Sequence, residues 1–226
     1  AEVAERLGNP PAVEVYCFGG DAVPDASFEQ VKRALRPQRL VNGYGPTETV
    51  VTPLLWRAEA SETCDAAYAP IGRGVAGRGL YVLDADLNPL PVGISGELYL
   101  GGECLARGYH QRPGMSAERF IPDPFETGGR IYRTGDLVRQ RECGLIDYLG
   151  RLDQQVKIRG FRIELGEIEA RLRECAGVQD AAVVVHDTPT GKQLVGYVVA
   201  VGAVGLDRRL KAELQAQLPD YMVPAR

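Results

Sequence analysis

The stretch Gly150–Leu172, GRLDQQVKIRGFRIELGEIEARL, changes its local period repeatedly over a short span. Gly150 and Arg151 suit a turn, Gln155 to Arg159 alternate polar and apolar as a half-buried strand does, and Gly160 punctuates before a short strand at Phe161 to Ile163. A helix is expected next. Leu165, Ile168, Ala170 and Leu172 form an approximate helical stripe, and Glu164, Glu167 and Glu169 put acid in the first turns, at the positive end of the helix dipole. The patterns on either side of this joint differ, which predicts two domains, 1–152 and 153–226.

Upstream, Val13 to Phe18 is a β-prone run ending in Gly19-Gly20, and Phe28 to Leu35 reads as a helix on one face. Leu40 and Val41 look like a strand end feeding Asn42-Gly43-Tyr44-Gly45-Pro46-Thr47-Glu48, a segment read as a loop too rich in Gly and Pro to be helical. Short strands follow at Leu80 to Leu83, Glu97 to Leu100, Ile131 to Thr134 and Leu145 to Tyr148, with a turn or two of helix at Met115 to Phe120. Downstream of the joint, Ala181 to His186 and Gln193 to Val201 read as strands around an Asp187-to-Gly191 turn, and Leu206 to Leu218 as an amphipathic helix. The fold class is therefore α/β and α+β, with strand–helix units first and a small α+β tail last.

Composition narrows the function. The 226 residues are 45% hydrophobic and 25% charged, as in a chain able to bury a core. A net charge of −4, with arginine and acid interspersed, excludes the dense basic face of a non-specific nucleic-acid binder. The five cysteines are far apart and form no Cys-x-x-Cys pair, which reads as reduced, mostly buried thiols in a cytoplasmic protein. The longest apolar run, Leu194 to Leu206, has thirteen residues including three glycines, too short to span a bilayer. His110 and His186 have no metal-ligand spacing.

The Asn42–Glu48 segment offers an amide, an aromatic face, glycines, a hydroxyl and a carboxylate, a set suited to base, phosphate and Mg²⁺. By spacing alone the plainer reading is favoured, a tight loop whose Tyr44 packs on its neighbours. Asp136 closes the strand of Tyr132-Arg133-Thr134-Gly135-Asp136, where a carboxylate could accept from a ribose diol, although strand-end Asp is also a routine turn former. Lys157, Arg159 and Arg162 form a basic cluster around Gly160 that reads equally as a solvated strand face.

Taken together, NGYGPTE, GELYLGGECLARGY, YRTGDLVR, GRLDQQVKIRGFRIELGEIE and LPDYMVP occur in the order found in the adenylation domains of nonribosomal peptide synthetases, which the chain resembles. Those domains belong to the adenylate-forming superfamily. The resemblance implies part of a layered α/β core with a small distorted β-barrel subdomain, followed by a small mobile α+β domain. It also implies ATP- and Mg²⁺-dependent activation of an amino acid as its adenylate, then transfer to the phosphopantetheine thiol of a peptidyl carrier protein.

By position in the motifs, Tyr44 would stack on adenine with Asn42, Gly20 and Gly45 nearby, Thr47 would meet the α-phosphate, and Glu48 would help hold Mg²⁺. Asp136 would hold the ribose hydroxyls, with Tyr148 and Arg151 completing that contact and the Arg also near phosphate. Asp153 would be the interdomain hinge, and Lys157, Arg159 and Gly160 would enter the site for thiolation. Cys17, Gly19, Gly43, Val51 and Thr52 would line the side-chain pocket, whose small residues suggest room for a medium or large side chain. The family's lysine-bearing phosphate loop and terminal catalytic Lys are not in the sequence, so the expectation is a fragment inactive by itself. A condensation domain and an MbtH-like protein are further implied partners; the alternatives are an acyl or aryl acid ligase of the same superfamily, or a non-catalytic scaffold docking a carrier protein or an MbtH-like protein near Arg107 to Phe125. No nucleic-acid or membrane partner is expected.

Overall fold

A computed structural model of the chain describes residues 13–75, 77–158, 160–188, 191–201 and 205–225. Contacts divide it into two units, Ala1–Leu152 and Asp153–Arg226.

The first unit holds two sheets. One has the order β1 (Val15–Gly19), β2 (Arg39–Tyr44), β3 (Leu54–Glu59), β4 (Arg73–Gly74), with β1 and β2 parallel and joined by helix α1 (Asp25–Leu35). Pro24 opens α1 and Arg36, in a left-handed conformation, closes it. Its Phe28 lies 5.1 Å from Trp56, ring to ring, and Leu40 and Ala58 complete that apolar layer. The other sheet is antiparallel and runs β5 (Arg78–Leu83), β6 (Ser95–Gly102), β8 (Arg130–Gln140), β7 (Phe120–Pro122), with β9 (Ile146–Arg151) also on β8. Helix α2 (Pro113–Arg119) leads into β7. A cluster of Tyr44, Leu54, Ile71, Val82, Leu98, Leu100, Val138 and Ile146 joins the two sheets, and so brings the end of β2 up to β8.

The second unit begins with the hairpin β10 (Gln155–Ile158) and β11 (Phe161–Glu164), continues into α3 (Leu165–Glu174), then the hairpin β12 (Val178–Thr188) and β13 (Gly191–Ala200), and ends in α4 (Leu206–Gln215). Helix α3 buries Leu165, Ile168 and Leu172, spaced as one helical stripe. These meet Ile163, Val183, Leu194, Leu210 and Leu214 in a single core.

The structure corrects several expectations. Gly150 and Arg151 are not a turn but the end of β9, because Arg151 pairs with Asp136 across the ladder. Strand β2 continues through Tyr44, and Thr47–Thr49 is a 3₁₀ turn, so only Gly45 and Pro46 of the expected loop lie outside regular structure. Strand β3 had no counterpart in the sequence reading. Ala170 is exposed, outside the stripe of α3. The thiols are not mostly buried: Cys64 and Cys175 are buried, Cys104 is intermediate, and Cys17 and Cys143 are exposed.

Candidate functional site

Strand β8 is irregular where its motif lies. Its pairing with β6 passes from Glu97↔Leu137 to Tyr99↔Arg133, so Thr134, Gly135 and Asp136 face the single residue Leu98. On its other edge β7 pairs with residues 130–132 and β9 with residues 136–140, leaving Arg133–Gly135 between them. Gly135 has φ +73°, a conformation that favours glycine. A bulge breaks ladder hydrogen bonds and re-aims a side chain; here the re-aimed side chain is Asp136.

Asp136 is 4% exposed. Arg151 Nη1 donates to its Oδ1 at 2.7 Å and to the Thr134 carbonyl at 2.8 Å, and the Tyr44 hydroxyl donates to its Oδ2. The Asp136 amide donates to Thr134 Oγ1 at 3.0 Å, and that hydroxyl donates to the Leu98 carbonyl at 2.7 Å. Both rims of the carboxylate are thus fixed, a charged pair inside a satisfied network. Burial, then the Asp136 charge, holds the Tyr44 phenol well above its ordinary pKa. Burial and the same charge push Tyr148 up to about 12. The structure therefore brings Tyr44, Asp136, Tyr148 and Arg151 together.

Beyond Tyr44 the chain turns sharply. A Cβ on Gly45 would stand 2.0 Å from Pro53 Cδ and 2.4 Å from the Val51 carbonyl, so this crossing excludes any other residue. Val50 and Val51 follow at φ 57° and 63°, left-handed positions that β-branched residues avoid, and both are exposed. Such strain, on the order of 1–3 kcal/mol per residue, tends to collect at ligand clamps. Thr47 is exposed at the head of the 3₁₀ turn, while Glu48 is half-buried and accepts from the Tyr109 hydroxyl at 2.7 Å. Asn42 is 3% exposed and its amide donates to the Pro70 carbonyl at 2.9 Å, a task within the fold rather than toward a base. Tyr44 is 7% exposed, so packing leaves little of its ring face open, as the plainer reading of that segment required. Gly20 is an exposed turn after β1.

The pocket residues fall largely on one sheet face. Cys17 is level with Val41 and Gly19 with Gly43. A Cβ on Gly43 would lie 3.3 Å from the Thr52 methyl, so Gly43 and Thr52 are neighbours. The expected reason for Gly19 changes, however. A Cβ there would stand 2.3 Å from the Gly43 carbonyl, so glycine is required by the approach of β2 and does not itself widen a pocket.

In the second unit, the Asp153 carboxylate accepts the Gln155 amide at 3.1 Å. Lys157 lies in β10 opposite Arg162, whose Nε donates to Gln155 Oε1 at 2.7 Å, and Gly160 makes the hairpin turn. Arg159 lies outside the described residues. Sequence reasoning missed Glu97, Tyr109 and Arg133. Their motifs were visible, but their partners lie 36 to 61 residues away.

Comparison with known proteins decides the family. Residues 3–110 match the AMP-binding enzyme family and residues 167–226 match the AMP-binding enzyme C-terminal domain. The chain belongs to the AMP-binding enzyme family. Within it, one of the linear gramicidin synthase proteins of Brevibacillus parabrevis is 48% identical over 218 residues, covering 95% of this chain and 4% of that protein. The adenylation domain AlmE of Vibrio cholerae, solved with glycyl-adenosine-5′-phosphate, superposes with a TM-score of 0.83 at 28% identity, over 100% of this chain and 44% of that one. An artificially fused adenylation–PCP di-domain from Klebsiella oxytoca superposes at 0.78 with 30% identity, over 99% and 41%. This AMP-binding chain is accordingly part of a nonribosomal peptide synthetase adenylation domain, spanning a small share of the curated relatives it matches. No helix among the described residues is long and apolar enough to cross a membrane.

Proposed function

We propose that the chain takes part in ATP-dependent activation of an amino acid, in which a carboxylate oxygen attacks the α-phosphorus and pyrophosphate leaves. The observation that carries this reading is Asp136, a buried carboxylate held from two sides at a β-bulge. A fixed carboxylate accepts both hydroxyls of a ribose without reorganising, which is how positioning lowers a barrier. Arg151 orients one of its oxygens and the Tyr44 hydroxyl the other. Tyr148 and Gly20 border the same nucleoside. Thr47 supplies a hydroxyl to the α-phosphate.

Mg²⁺ would neutralise charge on the phosphates. No group of three or more His, Cys, Asp or Glu among the described residues could hold a metal alone. That fits an ion carried mainly by phosphate oxygens, to which Glu48 adds one carboxylate, oriented by Tyr109. Cys17, Gly43, Thr52 and Val51 form the side-chain wall.

The adenylate is then passed to a carrier-protein phosphopantetheine thiol, a reading supported by the adenylation–PCP di-domain likeness. Asp153, the first residue of the second unit, is the hinge, and Lys157 serves the thiolation step. ATP/pyrophosphate exchange by the full protein that carries this sequence tests the activity. Exchange with one or a few amino acids is expected, and no exchange with any would overturn the proposal. Replacing Asp153→Pro should spare one half-reaction and impair the other; equal loss of both, with the fold intact, would remove the hinge role.

A further inference from the structure

A second carboxylate is buried beside the bulge, and neither of the proposed steps uses it. Glu97 is 7% exposed on β6. Its Oε1 accepts the Gly135 amide at 3.0 Å, both its oxygens lie 3.1 Å from Arg133 Nε, and the Tyr99 hydroxyl donates to Oε2 at 3.2 Å. The Gly135 amide is one of the backbone donors that the bulge removes from the β6 ladder, and a buried donor left unpaired is costly. Glu97 thus replaces a missing ladder bond at the residue immediately before Asp136. The Gly135 carbonyl is held in turn by the Leu152 amide at 2.9 Å. Gly135, the residue before Asp136, is therefore gripped at its amide by a side chain that has its own arginine, separate from the Asp136–Arg151 pair.

We propose that Glu97 is a positioning residue for Asp136, fixing the bulge so that the carboxylate meets the ribose hydroxyls of an adenine nucleotide. This rests on the assignment of Asp136 to ribose given above. A carboxylate suits the task better than an amide, because a glutamine side chain in its place would keep an acceptor for the Gly135 amide but lose the ionic grip of Arg133.

Calorimetric binding of AMP, 2′-deoxy-AMP and 3′-deoxy-AMP to the full protein carrying this sequence tests it, with thermal unfolding as a control for folding. The native protein should prefer AMP to both deoxy forms, and Asp136→Asn should abolish that preference. Glu97→Ala should weaken AMP about tenfold, the worth of one misplaced charged hydrogen bond. It should leave the deoxy forms almost unchanged, so that the preference collapses. Glu97→Gln, which preserves shape, should fold and lie between. If Asp136→Asn keeps the preference, the ribose assignment falls and this proposal falls with it. If Asp136→Asn abolishes it while both folded Glu97 variants keep it, or weaken all three ligands equally, Glu97 is structural only and the proposal alone is overturned.

Discussion

Around Thr134–Asp136 the first unit buries Glu97, Thr134 and Asp136 and satisfies each with side-chain or backbone hydrogen bonds. The second unit instead closes Ile163, Ile168, Leu172 and Leu210 over one apolar cluster, with Gln155 its one buried polar residue among those described. Apolar packing is tolerant of exchange among residues of similar volume. A buried polar network is not, because each unmatched group carries its full desolvation cost. The first unit therefore spends stability on geometry, and the second is built as a sturdy carrier for its short hairpin.

The strongest challenge to this contrast is Asp136→Ala. It deprives the Arg151 guanidinium, whose side chain is 11% exposed, of its paired carboxylate. Removing one partner of a buried pair is expected to destabilise the first unit by about 4 kcal/mol. Urea unfolding should show this, and a loss below about 1 kcal/mol, the level of a surface pair, would break the comparison. In the second unit, Ile168→Ala removes a fully buried side chain and should cost about 3 kcal/mol through lost transfer and a residual cavity. Hydrogen exchange should then accelerate in α3 and β12, while the amides of β6 and β8 stay protected.

Smaller effects sharpen the picture within the first unit. Gly45→Ala forces a methyl onto Pro53 and the Val51 carbonyl, and overpacking of this kind should cost about 2 kcal/mol, read as a lowered Tm. Tyr44→Phe removes a hydrogen bond to the buried Asp136 carboxylate and should cost about 1.5 kcal/mol at neutral pH, and it should also change the pH dependence. The phenol is raised above its unfolded value of about 10 by burial and by Asp136, so its contribution is complete below about pH 10 and is lost as pH rises further. The variant should lose less stability than the native protein between neutral pH and strongly alkaline pH. Tyr99 and Tyr148, each held at about 12, keep part of that slope in both.

How much of this was legible depended on the range of the interaction. The β10–β11 hairpin, α3 and the strand bearing Asp136 were readable because burial of one face imposes a period on neighbouring residues. Strand β3 was missed although its pattern is alternately buried, and β2 was cut short by the Gly and Pro that follow it. Tyr44 was placed in the right segment, but its bond to Asp136 spans 92 residues and has no local signal.

By itself the sequence determined the family and the periods of its longer elements, because motifs and periodicity are properties of short segments. Only the tertiary structure decided that Arg151 faces Asp136 across a strand pair, that Glu97 holds the Gly135 amide, and that Gly19 is glycine because β2 presses against it. Those facts depend on the register between distant strands, and a shift of one residue would turn each of these side chains to the opposite face.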